Sequence, residues 1–237
     1  FVARPSTIHQ EKCGECHKDI SDNFVNSIHA NGWGQKRKVT LRMGLNGAED
    51  FDKLPAHQIK GYNTKCASCH ASCGECHVIR PEAGGGGLAK SHIFAKKPDY
   101  YNVCITCHHS RGGDAFLGFS SGTQADVHRT KLGYTCNSCH SGDELHGDGK
   151  MHKTRYEVPA LPSCTDCHKN ISSSNSYHSV HMGNLSCNTC HSQNYNTCGS
   201  CHIGGEGARI TAHLEFKIAM NPIKNVKKDF NFSLVRR

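Results

Sequence analysis

Sixteen cysteines occur in this chain, and every one belongs to a five-residue pattern, Cys-x-x-Cys-His. The eight pentads carry Cys13, Cys16 and His17; Cys66, Cys69 and His70; Cys73, Cys76 and His77; Cys104, Cys107 and His108; Cys136, Cys139 and His140; Cys164, Cys167 and His168; Cys187, Cys190 and His191; and Cys198, Cys201 and His202. Two thiols three residues apart can form thioethers with the vinyl groups of a porphyrin. The imidazole that follows is placed to ligate the iron. This is the attachment signature of c-type haem. Zinc sites use Cys-x-x-Cys pairs but need no His directly after each second Cys. A disulfide framework does not need it either. The expected cofactors are therefore eight covalently bound c-type haems, with the eight pentad His as proximal ligands.

Eight irons need eight second ligands. Of the nineteen His, eleven lie outside the pentads: His9, His29, His57, His92, His109, His128, His146, His152, His178, His181 and His213. Histidine is the commonest metal-ligating side chain, and so many spare copies scattered among the pentads read as distal ligands. Seven are the leading candidates: His29, His92, His128, His146, His178, His181 and His213. His178 and His181, spaced i and i+3, can serve two irons from one helical turn. His9 and His152 are the candidates for the eighth place, ahead of His57 and His109; His9 could also reach a haem of another subunit. The four Met are not needed. Ligation by two His gives a lower potential than His/Met.

The elements that position these groups must be slight. Only 36% of residues are hydrophobic and 7% aromatic, and mean hydropathy is −0.58. Such a composition does not build a large conventional core. Porphyrins supply the missing apolar burial, and their covalent and axial bonds staple the chain. The expected fold is mostly irregular loops with short helices, wrapped around a closely packed chain of eight haems, with a small β element at the C-terminus. At about thirty residues per haem, short linkers force neighbours together, because each residue spans at most ~3.5 Å. Residues 12–29 are expected to be helical, with Ile20, Phe24, Val25 and Ile28 at helical spacing. Residues 32–54 show no clear period and read as a loop or small lobe. The glycine run 84–87 reads as a hinge or tight passage. No Cys follows Cys201. There, Leu214, Phe216 and Ile218, and again Phe230, Phe232 and Leu234, alternate with polar residues as strands do. This gives a multihaem domain over 1–213 and a β-strand tail over 214–237, acting as a clasp or an inter-subunit contact.

The formal net charge is +8. Each ferric haem adds about −1 (roughly +1 at the iron porphyrin and −2 from two propionates), so the basic residues neutralise propionates and tune potentials. No basic run interleaved with aromatics is present, which argues against nucleic-acid binding. No apolar run approaches the ~20 residues of a membrane span. Haem is attached by thioether outside the cytoplasm, so the chain is expected to be exported, to the periplasm or cell surface, with Phe1 following a removed signal.

Beyond the pentads, four stretches carry a resemblance: residues 66–77, in which two pentads nearly fuse; Asp126-Val127-His128; Glu144-Leu145-His146-Gly147-Asp148-Gly149; and His178 with His181 leading into Cys187. Over about residues 10–215 the chain resembles octahaem and other multihaem c-type cytochromes of respiratory and extracellular electron transfer, some of which polymerise into filaments. The resemblance implies electron relay to redox proteins or extracellular acceptors, with head-to-tail assembly as one arrangement. No catalytic residues are expected in such a relay. The alternative is a multihaem reductase or oxidase of nitrogen or sulfur oxyanions with one open-site haem. All eight pentads keep their His, which favours the relay.

Overall fold

The computed structural model describes residues 5–67, 71–78, 94–194, 216–221 and 230–236. In chain order the α-helices are α1 (His9–Lys12), α2 (Lys18–Phe24), α3 (Ile28–Asn31), α4 (Trp33–Arg42), α5 (Ala56–Lys65), α6 (Cys73–His77), α7 (Ile105–His108), α8 (Val127–Leu132), α9 (Gly142–His146), α10 (Cys164–Cys167) and α11 (Ser176–His181), followed by the strands β1 (Phe216–Met220) and β2 (Phe232–Arg236). Short helices and loops joined to one small two-stranded sheet agree with the expected backbone. No helix among the described residues is long and apolar enough to cross a membrane. Cys69, His70, His92, Cys198, Cys201, His202, His213 and the glycine run 84–87 lie outside the described residues.

The chain divides into two compact units. One comprises Phe1–Cys107 with Cys136–Ala160, the other His108–Thr135 with Leu161–Arg237.

In the first unit the single helix expected over 12–29 is broken into three. After α1 the chain turns through the first pentad, α2 stops at Phe24, and α3 restarts at Ile28. The break comes from Ser27, whose backbone is extended and whose hydroxyl accepts from Ala30 N at 3.1 Å. A serine that can bond nearby backbone competes with helix continuation and favours the cap. Of the expected apolar stripe only Phe24 is buried: Ile20 and Val25 are exposed, and Ser21 and Ser27 share the buried side with Phe24. Gly32 joins α3 to α4 at φ 67°, a left-handed backbone that favours glycine.

Residues 32–54 are a small lobe, but α4 replaces the expected loop. Together with α5, which the sequence reading did not anticipate, it builds the only conventional hydrophobic cluster among the described residues. Phe51, Leu54 and Tyr62 are buried, with Val39, Leu45, Ile59, Cys66 and Ala67 packed around them. The Phe51 and Tyr62 rings meet edge-on with centroids 4.7 Å apart. The Lys36 ammonium lies 5.4 Å from the Phe51 centroid, and burial pushes its pKa down. Fully burying a side chain of this size contributes about 1.5–3 kcal/mol.

In the second unit the side chain of Gln193 ties one loop down. Its carbonyl accepts from Gln124 N at 2.8 Å, and its amide donates to the Gln124 carbonyl. The C-terminal strands pair antiparallel in the register Phe216↔Arg236, Ile218↔Leu234, Met220↔Phe232. β2 also contacts the segment 184–186, directly before the seventh pentad: Phe232 N donates to Asn184 O at 3.0 Å, and Ser186 N to Phe232 O at 3.3 Å. Ser233 is buried on the side that meets Ser186, whereas Ile218, Met220 and Phe232 on the opposite face are exposed.

Candidate functional site

Four of the described pentads share one local geometry. The backbone N–H of the His donates to the carbonyl of the first Cys at 2.8 Å in His17→Cys13 and 2.9 Å in His140→Cys136, His168→Cys164 and His191→Cys187. This i→i+4 bond closes a single helical turn. Positions i, i+3 and i+4 of a helix lie on one face, so both thiols and the imidazole of a pentad are presented together. In two pentads the preceding serine fixes the turn. Ser72 N donates to the Glu75 carboxylate at 2.7 Å, and Ser163 N to the Asp166 carboxylate at 2.7 Å. The acid inside the Cys-x-x-Cys spacer is thus a helix-capping group. Sequence reading missed this role, although Ser-Cys-Gly-Glu and Ser-Cys-Thr-Asp carry the capping-box spacing.

The thirteen described cysteines are all free thiols, and three contacts join thiols of different pentads. Cys73 meets Cys13, Cys104 meets Cys136, and Cys164 meets Cys187. Burial first, then the Cys13 thiol, push Cys73 up to about 11. The hydrogen bond from Cys104 pulls Cys136 down to about 7, and Cys104 moves up.

Three pairs of imidazoles each bring one pentad His to one His from outside the pentads. His77 and His146 have ring centroids 6.0 Å apart and planes at 28°. His128 and His168 stand 6.0 Å apart at 74°. His178 and His191 stand 5.9 Å apart at 36°. The first pair belongs to the first unit and the other two to the second.

Hydrogen bonds select which ring nitrogen remains available. The Nδ1–H of His77 donates to the Ala95 carbonyl at 2.7 Å. That of His128 donates to the Asp126 carboxylate at 2.9 Å, and that of His140 to the Glu144 carboxylate at 2.8 Å. Nδ1 of His178 is within 2.7 Å of Ser174 Oγ. Because carbonyls and carboxylates only accept, Nδ1 carries the proton in the first three, and Nε2 is left as a lone-pair donor. Metal-ligating His has this second-shell arrangement. Burial, and then the neighbouring His77, hold the His146 pKa below its ordinary value, which keeps that imidazole neutral.

The remaining spare His divide clearly. His9 is half-buried, but both its ring nitrogens are buried and lack a hydrogen-bond partner, and its ring lies 5.5 Å from Phe24. His152 uses Nε2 to donate to Asp148 at 3.0 Å, and its ring lies 6.2 Å from Trp33. His29 sits in α3, and its carbonyl accepts from Ala71 N at 2.9 Å. His181 is exposed at the end of α11, one turn from His178. His109 is exposed beside Phe119, and His57 is exposed at the start of α5. No known protein family, curated protein or solved structure matches this chain.

Proposed function

We propose that this chain is an exported multihaem cytochrome that relays electrons through covalently attached, bis-His-ligated c-type haems. The observation that carries the reading is the set of three imidazole pairs at 5.9–6.0 Å. Two metal–imidazole bonds of ~2.0–2.1 Å and two ring radii of roughly 1.1 Å put ring centroids about 6.3 Å apart across one metal ion. His77 with His146, His168 with His128, and His191 with His178 would accordingly hold the irons of the third, sixth and seventh pentads. Rotation about the common axis leaves the interplanar angle free, so 28°, 74° and 36° all suit this role.

Further features fit the group. The four pentad turns closed by that bond each offer two free thiols and an imidazole on one face. His9 holds two buried nitrogens without partners, a costly arrangement for a polar ring unless something binds it. It is therefore favoured for the eighth distal place over His152, whose Nε2 is engaged by Asp148. Because both ring nitrogens of His9 are turned inward, away from solvent, it would serve its own chain rather than a neighbour. The thiol contacts place the covalent anchors of the first and third, fourth and fifth, and sixth and seventh pentads side by side.

Bound there, iron porphyrin supplies reversible one-electron storage. An iron held between two such imidazoles would keep no coordination position for a substrate, which favours relay over catalysis. Its partners are redox proteins or extracellular acceptors, and head-to-tail association of copies would extend the relay. Intact mass and electron paramagnetic resonance of the oxidised native protein test the proposal. The expected result is eight covalent haems and only low-spin ferric signals. A mass without covalent haem would overturn the reading, and a stoichiometric high-spin signal would transfer it to an open-site reductase.

A further inference from the structure

Two carboxylates stand behind imidazoles of the site. Asp126 Oδ1 accepts from His128 Nδ1–H at 2.9 Å, and Glu144 Oε2 accepts from His140 Nδ1–H at 2.8 Å. Both acids have a plain structural duty nearby. Asp126 caps α8 by accepting from the backbone N–H of His128 at 2.8 Å. Glu144 lies in the first turn of α9, where its own N–H donates to Ser141 Oγ at 3.2 Å. Capping does not require the carboxylate of Asp126 to reach the ring as well. By contrast, the third pentad's His77 gives its Nδ1–H to a neutral carbonyl, that of Ala95.

Resting on the haem reading above, we propose that Asp126 and Glu144 are the residues that lower the reduction potentials of the sixth and fifth haems. Glu144 acts through the proximal ligand His140, and Asp126 through the distal ligand His128. An anionic acceptor at Nδ1–H makes the imidazole a more basic ligand, which stabilises ferric over ferrous iron. A neutral carbonyl does this less, so the third haem lies higher than either. The two effects differ in size. The Glu144 side chain is 14% exposed and that of Asp126 37%. Solvent screens the more exposed charge, so the Glu144 effect is the larger. These are positioning residues: they touch the ligand and not the iron.

Potentiometric titration of the holoprotein, followed optically and by low-spin electron paramagnetic resonance, tests the assignment with Glu144→Gln, Asp126→Asn and the double variant. Gln keeps an acceptor within reach, and Asn caps a helix as well as Asp does, so a merely structural role leaves the titration unmoved. In Glu144→Gln one of the one-electron steps should rise by about tenfold in its reduction equilibrium constant, ~59 mV for a one-electron couple. Asp126→Asn should raise a different step by less, and the double variant should raise both. In each single variant the low-spin g values of one haem should move toward those of a neutral bis-imidazole site. Titrations that overlay the parent's in variants carrying the full haem complement would overturn the assignment. Absence of covalent haem from the parent is read separately, from intact mass, and would remove the functional proposal first and this one with it.

Discussion

At the residue scale, the site is defined by which imidazole faces which. His146 is separated from His77 by sixty-nine positions of sequence, yet their rings stand 6.0 Å apart. His152, only six residues further on, turns its Nε2 to Asp148 instead. If the proposed haem relay holds, His146→Ala is predicted to leave the iron at the third pentad with a single strong ligand, giving one high-spin ferric signal per molecule. His152→Ala should give none. Electron paramagnetic resonance of the two variants at matched haem content checks this, and equal spectra would remove the pairing. The types of these residues were legible in the sequence, because a pentad defines its own thiols and imidazole locally. The pairing was not, because a second ligand arrives from a distant segment and nothing in its immediate neighbours announces where it goes. Asp126 and Glu144 were visible within the quoted stretches but had no role until their distances to His128 and His140 were known.

At the element scale, helices form where one turn satisfies a cap or closes a pentad, and few run longer. α4 and α5 are the exceptions, at ten residues each. Their lobe is held by Phe51, Leu54 and Tyr62. Phe51→Ala is predicted to cost about 3–5 kcal/mol locally, through lost burial and an unfilled cavity. Hydrogen exchange should show it as reduced protection of the α4 and α5 amides, while those of α11 keep theirs. A uniform change across all helices would count against a separate lobe core. Periodicity misled at 12–29 because a helical spacing of apolar residues says nothing about a cap inside it. Ser27 ends that helix locally, and the buried side follows Ser21 and Phe24 rather than Ile20 and Val25. Strand alternation served better at the C-terminus, where period two is hard to confuse with other structure. Even there, the pairing of β2 with residues 184–186 needed the tertiary structure.

At the scale of the whole molecule, the polypeptide alone is a poor source of apolar burial. Among the described residues seven hydrophobic side chains are buried, whereas sixteen large ones are exposed, including Phe94, Val127, Leu132, Tyr177 and Val180 close in sequence to the pentads or the paired His. Chain entropy of about 1–2 kcal/mol per ordered residue is not offset by so small a core. The chain produced without haem attachment is therefore predicted to be largely unfolded, with far-ultraviolet circular dichroism of a disordered polypeptide and no cooperative thermal transition. A cooperative transition in that material would refute the idea that cofactors are the interior. The amino-acid sequence by itself determined the inventory: eight Cys-x-x-Cys-His pentads, eleven further imidazoles, and too little hydrophobic mass for an ordinary core, all of which are properties of composition and near neighbours. Only the tertiary structure decided which imidazole meets which, which thiols touch across pentads, and which carboxylates reach an imidazole. The imidazole and thiol contacts join separate segments through packing that no local pattern encodes, whereas the carboxylates lie two and four positions from their rings, and only side-chain geometry shows that they reach them.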